Sequence, residues 1–362
     1  MNDEELLNNY CYTRNLKPVT REQYQYSIRV YTKHQKATLT ELINEAETEE
    51  DDRVRWKHSK LKQRLLEFRA YLYQEYMEDT AKGHMIRIMA IYRHYDIYIG
   101  ELPRMNTRNV HKANPVTYED LPTHEEIREA IRLSNPLMQS IILFMTSSGC
   151  ARTETLNLTI HDFLTSTSEY HKSNNIPEAL NEMKHHNNII PVWNITRQKT
   201  NKKYTTFNSP EASNSIINYL LTRKELTPEA PLFKINKRYL NTKFQELNKL
   251  LGNEKAGTYN KFRSHNLRKW NATQLYNGEN HLSLNQIDSL QGRSKNIVHE
   301  AYFKDNTQQL RTEYTKCLPN LMIDWQVTEV PNNEIEELKK QVANILGRLD
   351  REVELDLSDL EL

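Results

Sequence analysis

A single short β pattern, in a chain whose other periodic segments are all helical, constrains the fold most. Residues 189–195 are apolar and β-branched, residues 203–207 form a second short run, and the basic residues 197–202 between them are typical of a hairpin tip. Elsewhere apolar residues recur at helical spacing, most clearly over 59–77 and 80–99. The sequence therefore predicts a mainly α protein with a small antiparallel β-sheet, in the α+β class.

Proline and charge divide the chain into segments. Pro103 and Pro115 break helices on either side of a basic stretch, which predicts a domain boundary there. The acidic stretch from Glu45 to Asp52 is interpreted as a solvated loop or insertion. The predicted segments are a helical domain at 1–102, a basic linker at 103–117, a larger domain at 118–316 and a C-terminal tail at 317–362.

Helix signals recur through the larger domain and the tail. Thr123 and Glu126 form the capping box T-x-x-E. Residues 334–349 in the tail carry a short heptad pattern, which is typical of a helix that packs on its own domain or on another molecule. Further helices are predicted at 136–147, 237–251, 264–277 and 283–291, and the last three end at a glycine.

Several function classes are excluded by missing motifs. None of the eight glycines forms a G-x-G-x-x-G motif, and Thr258-Tyr259 follow Gly257 where a P-loop needs Lys-Ser/Thr, so nucleotide-driven chemistry is not expected. The cysteines lie far apart and no His/Cys/carboxylate cluster has metal-ligand spacing. The N-terminus is no secretory signal and no apolar run could span a bilayer. We expect a cytoplasmic protein without a cofactor or metal and without a membrane partner.

Four segments carry candidate chemistry. They are SSGCARTETLNLTIHDF (147–163), RQKTNKKYTTF (197–207), RSHNLRKW (263–270) and LQGRSKNIVHEAYF (290–303). In this order they resemble the tyrosine recombinase (phage integrase) family, and most closely the integrases of archaeal viruses and proviruses. The resemblance covers about residues 1–316. It implies a helical SAM-like core-binding domain that binds DNA at 1–102 and a tyrosine recombinase catalytic domain at 118–316.

The resemblance assigns a role to each motif residue. It implies that Tyr302, favoured over Tyr314 by its spacing from the H-x-x-R motif, attacks the phosphodiester. Arginine suits a phosphate because its planar fork donates two charge-assisted hydrogen bonds and stays protonated. The implied catalytic residues are Tyr302 as nucleophile, Arg152 and Arg268 as phosphate clamp, Lys199 as proton donor to the leaving 5′-oxygen, His265 in proton transfer or phosphate binding, and Arg293. Lys202 and Lys203 are alternatives to Lys199 as the proton donor.

The sequence departs from the family pattern at two positions. Arg293 stands nine residues before the nucleophile, where the family usually carries histidine or tryptophan, and Lys295 is a candidate to compensate. Thr155 stands three residues after Arg152, where an acidic residue is usual. The second departure removes the expected support of Arg152.

Positive charge is concentrated around these motifs. Residues 184–316 hold 22 Lys and Arg against 10 Asp and Glu, whereas residues 332–362 hold four against nine, so the near-neutral total conceals a division. A basic surface of this kind attracts a phosphate backbone. The predicted DNA contacts are Arg104, Arg108, Lys112, Lys202, Lys203, Lys269 and Lys295.

The family resemblance also implies the partners. They are double-stranded DNA with specific attachment sites, other copies of the chain in a tetramer on that DNA, and accessory DNA-bending proteins. The tail and the acidic insertion favour an integrase of a mobile element. The alternatives are a chromosome-resolving recombinase, an enzyme like the type IB topoisomerases, and a DNA-binding protein with a degenerate site, the last because of Arg293.

Overall fold

A computed structural model describes residues 2–106, 108, 110–253, 255–293 and 306–323. The chain divides after Pro115 into two compact units, each with its own apolar core. The predicted helix at 334–349, Lys295 and Tyr302 lie outside the described residues.

The N-terminal unit is a group of five α-helices with one short 3₁₀ turn at Trp56–His58. Its core includes Tyr31, Phe68 and Tyr92, all fully buried, and the hydroxyl groups of Tyr31 and Tyr92 lie 3.0 Å apart in a hydrogen bond. The helices are α1 (Asp3–Thr13), α2 (Pro18–Gln35), α3 (Leu39–Asp51), α4 (Lys60–Glu75) and α5 (Glu78–His94).

Helix α3 corrects one prediction. The acidic stretch from Glu45 to Asp52 is not a loop, because it forms the second half of this helix and its C-cap. The helix buries Leu39, Leu42, Ile43 and Ala46 on one face, so its acidic residues occupy the faces left over.

The basic segment at 103–117 is attached to the N-terminal unit over much of its length. The carbonyl of Pro103 accepts a hydrogen bond from Arg69, and the carbonyl of His111 accepts one from the Glu78 amide. Lys112 lies 3.9 Å from the Glu78 carboxylate. The segment therefore extends this unit to the division after Pro115, and its role as a linker stays a prediction.

The second unit surrounds one mostly apolar helix. Helix α7 is buried on every side of its second half and packs against α11 and α13. Its Phe144 ring also contacts Trp193 of the hairpin and Phe233 before α12. The helices of this unit are α6 (His124–Arg132), α7 (Pro136–Ser148), α8 (Arg152–Asn157), α9 (Ile160–Ser166), α10 (Ile176–Met183), α11 (Pro210–Leu221), α12 (Lys237–Leu250), α13 (Ser264–Asn277), α14 (Leu284–Leu290), α15 (Thr307–Lys316) and α16 (Leu318–Leu321).

The predicted hairpin is present with shifted boundaries. Strand β1 (Trp193–Arg197) pairs antiparallel with β2 (Lys202–Thr206), and a further pair of two-residue strands, β3 (Lys255–Ala256) and β4 (Tyr259–Asn260), precedes α13. The apolar run that starts at 189 does not join the ladder at once. Its amides donate to other groups instead. The Ile190 amide donates to the Tyr170 hydroxyl, and the Val192 amide donates to the Ser166 carbonyl.

None of the helices in the described part of the chain is both long enough and apolar enough to cross a membrane.

Candidate active site

A cleft of about 460 Å³ opens where α8, α12 and α13 meet. Its lining contains three arginines and one histidine, and the lining residues that the structure describes include no Asp or Glu. Uncompensated cations in a concave surface attract an anion. The lining side chains that matter here are Arg152, Thr153, Asn241, Arg263, His265 and Arg268.

Arg268 is the buried centre of the site. Only 7% of its surface is exposed, and its guanidinium donates to the carbonyls of Gly149 and Gln291 at 2.5 Å each. Gly149 and Gln291 are the C-cap residues of α7 and α14, so Arg268 on α13 connects three helices. Burial lowers the pKa of Arg268, but a guanidinium stays protonated in proteins and has five N–H groups, so donors remain for a ligand.

Arg152 is held by a residue from a distant helix. It is the first residue of α8, and its Nη1 donates to Oδ1 of Asn241 on α12 at 2.7 Å. Thr155, which stands at the family's acidic position, is buried and donates its hydroxyl to the Ala151 carbonyl. The amide of Asn241 thus provides the support that the sequence does not show near Arg152.

His265 lies in the first turn of α13, one turn before Arg268. Loss of hydration is the largest of the effects that lower its pKa below the ordinary value of 6.5. Positive charge nearby adds to this effect, from Lys269, Arg263, Arg268 and Arg293. The imidazole is therefore neutral at pH 7 and can accept a proton or a hydrogen bond.

The hairpin presents Lys199 to solvent in its four-residue turn. Asn201 closes this turn in the left-handed conformation, with φ of 55°, and its amide donates to the Arg197 carbonyl. Lys203 is also exposed. Lys199 is thus accessible to a ligand at the tip of two paired strands.

Two cationic side chains of the hairpin donate hydrogen bonds to the backbone that follows α14. Arg197 Nη1 donates to the Gly292 carbonyl at 2.6 Å, and Lys202 Nζ donates to the Arg293 carbonyl at 2.9 Å. The Tyr204 ring packs so closely on Gly292, whose φ is +59°, that a side chain there would overlap it. With Arg268 on Gln291, three consecutive carbonyls are each bound by a cation from a different element.

Arg293 points its guanidinium toward a carboxylate. Its Nη1 lies 3.5 Å from Asp288 Oδ1, in an ion pair that leaves 41% of the Arg293 side chain exposed. This is the residue that replaces the histidine or tryptophan usual in the family.

Tyr314 is unavailable as a nucleophile. It is fully buried on α15 and donates its hydroxyl to the Ser147 carbonyl at 3.0 Å. Burial raises its pKa well above the ordinary value. This contact supports the choice of Tyr302, which itself lies outside the described residues.

The structure thus brings Arg152 together with His265 and Arg268, which follow it by more than 100 residues in the sequence. Two cleft residues escaped the sequence analysis. Arg263, whose guanidinium stacks 4.2 Å above the Tyr259 ring, directly precedes α13 inside a motif already singled out. Asn241 had no local signal, because only the packing of α12 against α8 places it in the cleft.

Comparison with known proteins rests on structure. No family model matches the sequence, and no curated protein matches it. The XerH site-specific recombinase, solved on palindromic difH DNA after cleavage, superposes with a TM-score of 0.51 at 16% identity over 84% of this chain and 82% of that one. The chain has the tyrosine recombinase fold.

Two further recombinases are similar. The integrase of the transposon Tn1549, solved with transposon right-end DNA, gives a TM-score of 0.49 at 12% identity over 87% of this chain and 99% of its own. A lambda integrase tetramer bound to a Holliday junction gives 0.46 at 13% identity over 82% of each chain. The superposition on XerH confirms the mainly α tyrosine recombinase fold with a small antiparallel sheet, whereas the archaeal virus type stays a prediction.

Proposed function

We propose that this protein is a site-specific DNA recombinase that cleaves and rejoins DNA strands through a covalent tyrosine intermediate. The observation that carries the proposal is the cationic cleft. Arg152, His265 and Arg268 converge there from two helices, in the order and spacing of the recombinase motifs. A cleft with this charge fits the non-bridging oxygens of a phosphodiester.

The proposed reaction exchanges one ester for another. The Tyr302 hydroxyl oxygen attacks phosphorus, the bond from phosphorus to the 5′-oxygen breaks, and Lys199 gives that oxygen a proton. Neutral His265 accepts a proton near the attacking hydroxyl, while Arg152 and Arg268 hold the phosphate. The 3′-phosphotyrosyl ester conserves the bond energy, so rejoining needs no ATP.

The proposed DNA contacts lie in both units. Arg104 and Arg108 are exposed in the N-terminal unit, and Lys199, Lys203 and Lys269 lie in the second unit. Lys202 bonds to the backbone of Arg293, which favours a positioning role for it over a phosphate contact. We propose attachment-site DNA as substrate, a tetramer as the active assembly, and integration of a mobile element as the biological role.

A nicked duplex tests the chemistry, because loss of the short strand beyond the cut traps the covalent adduct. We expect wild-type protein to accumulate an adduct that Tyr302→Phe abolishes. Tyr314→Phe is the matched control and should retain the adduct, since Tyr314 is buried away from any substrate. DNA binding without an adduct in the wild type would leave only a DNA-binding protein. Relaxation of supercoils without recombination of paired sites would indicate a topoisomerase instead.

A further inference from the structure

Asn241 lines the candidate cleft, and its hydrogen bond to Arg152 determines which way the oxygen and the NH₂ group of its amide face. Its Oδ1 accepts the hydrogen bond from Arg152 Nη1 at 2.7 Å. A guanidinium has no acceptor, so the amide oxygen must face Arg152 and the NH₂ group must face away from it. The side chain is exposed and lines the cleft, so this NH₂ group is a neutral donor available to a ligand there.

The surroundings of Arg152 explain why an amide suits this position. A carboxylate would hold Arg152 more strongly, but it would cancel the positive charge that the phosphate needs and would repel the phosphate itself. No ion pair to Arg152 occurs among the described residues, and α8 begins at Arg152, so its own helix gives the side chain little support. The neutral acceptor of Asn241 fixes the guanidinium without neutralising it.

We propose that Asn241 is a further phosphate-binding residue of this enzyme, whose Oδ1 positions Arg152 and whose Nδ2 donates to a non-bridging oxygen of the scissile phosphodiester. The inference rests on the proposed function and adds a residue to its site. Position 241 is also where α12 reaches the cleft, so this one contact connects that helix to the phosphate clamp.

Single-turnover cleavage of the nicked duplex by full-length variants tests the proposal. Asn241→Ala removes one charge-assisted bond and one donor, so we expect cleavage to slow by about ten- to a hundredfold. Duplex affinity should change by about twofold or less, because many other phosphates contribute to it. Gln245→Ala, one turn further along the exposed side of α12, is the matched control and should cleave at the wild-type rate.

Charge on the substrate separates a phosphate contact from a structural role. Asn241→Asp keeps the acceptor for Arg152 but replaces the donor with a negative charge, so it should cleave more slowly than Asn241→Ala. With a neutral methylphosphonate at the scissile position the repulsion disappears, and Asn241→Asp should then be at least as fast as Asn241→Ala. A structural defect would leave the order of the two variants unchanged on both substrates, which would overturn the proposal.

A double-mutant cycle tests the link to Arg152. Asn241→Ala should slow cleavage by a smaller factor in an Arg152→Ala background than in the wild type, because the side chain it positions is gone while the loss of the Nδ2 donor remains. Additive effects, or an Asn241→Ala rate within about twofold of wild type, would overturn this inference while leaving the proposed function intact. Absence of any adduct from the wild type would overturn the proposed function, and the inference with it.

Discussion

At the scale of single residues, the cleft is a set of cations with one neutral base among them. Loss of hydration is the largest effect that disfavours the protonated form of His265, and the positive charges that would hold a phosphate add to it. Because its folded-state pKa lies below 6.5, His265 stays neutral through the physiological range and gains its proton only in more acidic solution. Under the proposed function, the cations that would hold the phosphate therefore also help to keep the base unprotonated.

This arrangement predicts the pH dependence of cleavage. At saturating DNA, the single-turnover rate should be highest above the pKa of His265, which is lowered from 6.5, and should fall as the pH is lowered through that pKa and His265 becomes protonated. His265→Gln should be slower and should lack this acidic limb. Lys269→Gln removes a neighbouring positive charge, so it should move the limb to higher pH. An identical limb in His265→Gln would show that another group titrates.

Local motifs predicted the cleft residues unevenly. Arg152, His265 and Arg268 were accessible to sequence analysis because Arg152 follows the Ser-Ser-Gly turn and the other two form one H-x-x-R motif. Asn241 was not, because its role depends on a packing contact between helices 89 residues apart in the chain. The ion pair of Arg293 with Asp288 also needed coordinates, although the two residues are only five apart.

At the scale of elements, the C-terminal ends of α7 and α14 meet the middle of α13 in a buried polar network. Gly149 ends α7 with φ of +64°, and its carbonyl accepts from Arg268. Asn271 on α13 donates to the last carbonyls of α7, and Gln291 donates in turn to Asn271. A buried network of this kind fixes the position of the buried arginine as well as the helices.

Replacement of Gly149 should lower the stability of the folded protein. A Cβ at this position would overlap the amide groups of Asn271 and Gln291, in addition to the strain of a left-handed conformation. Gly252 is the matched control, because its φ is +61° but a Cβ there would contact nothing within 4 Å. We expect Gly149→Ala to lower the free energy of unfolding by about 1–3 kcal/mol more than Gly252→Ala does. Denaturant unfolding measures the difference, and equal losses would contradict this account of the network.

Element boundaries show where sequence patterns succeed and fail. Helix α13 occupies the predicted range, because apolar spacing and the following glycine agree. Helix α3 was missed because its acidic residues masked an apolar face, although Thr38 and Glu41 form a capping box that the sequence displays. Strand β1 begins later than its apolar run because burial at 189–192 is achieved without ladder pairing.

At the scale of the whole molecule, charge is divided along the chain rather than balanced locally. The segment 184–316 has 12 more basic than acidic residues, and 332–362 has five more acidic than basic ones. We expect the acidic tail to compete with DNA for the basic surface and so to limit non-specific binding.

Two sets of charge-neutralising substitutions test this idea with equal changes in net charge. The tail set should raise the affinity for a random duplex several-fold at low salt and steepen its salt dependence. The control set lies in the acidic half of α3 and should have a smaller effect. The sets are Glu354→Gln, Asp356→Asn and Asp359→Asn for the tail, and Glu47→Gln, Asp51→Asn and Asp52→Asn for the control. Equal effects would indicate that net charge alone matters.

The three hydrogen bonds to the carbonyls of Gln291, Gly292 and Arg293 affect how position 293 can tolerate substitution. Arg268, Arg197 and Lys202 recognise backbone atoms, which every residue type supplies. A substitution at 293 therefore leaves these three hydrogen bonds in place, so the position of the main chain from Gln291 to Arg293 does not depend on the side chain at 293. We expect on this ground that an arginine where the family resemblance implies histidine or tryptophan leaves the main chain at this position unchanged.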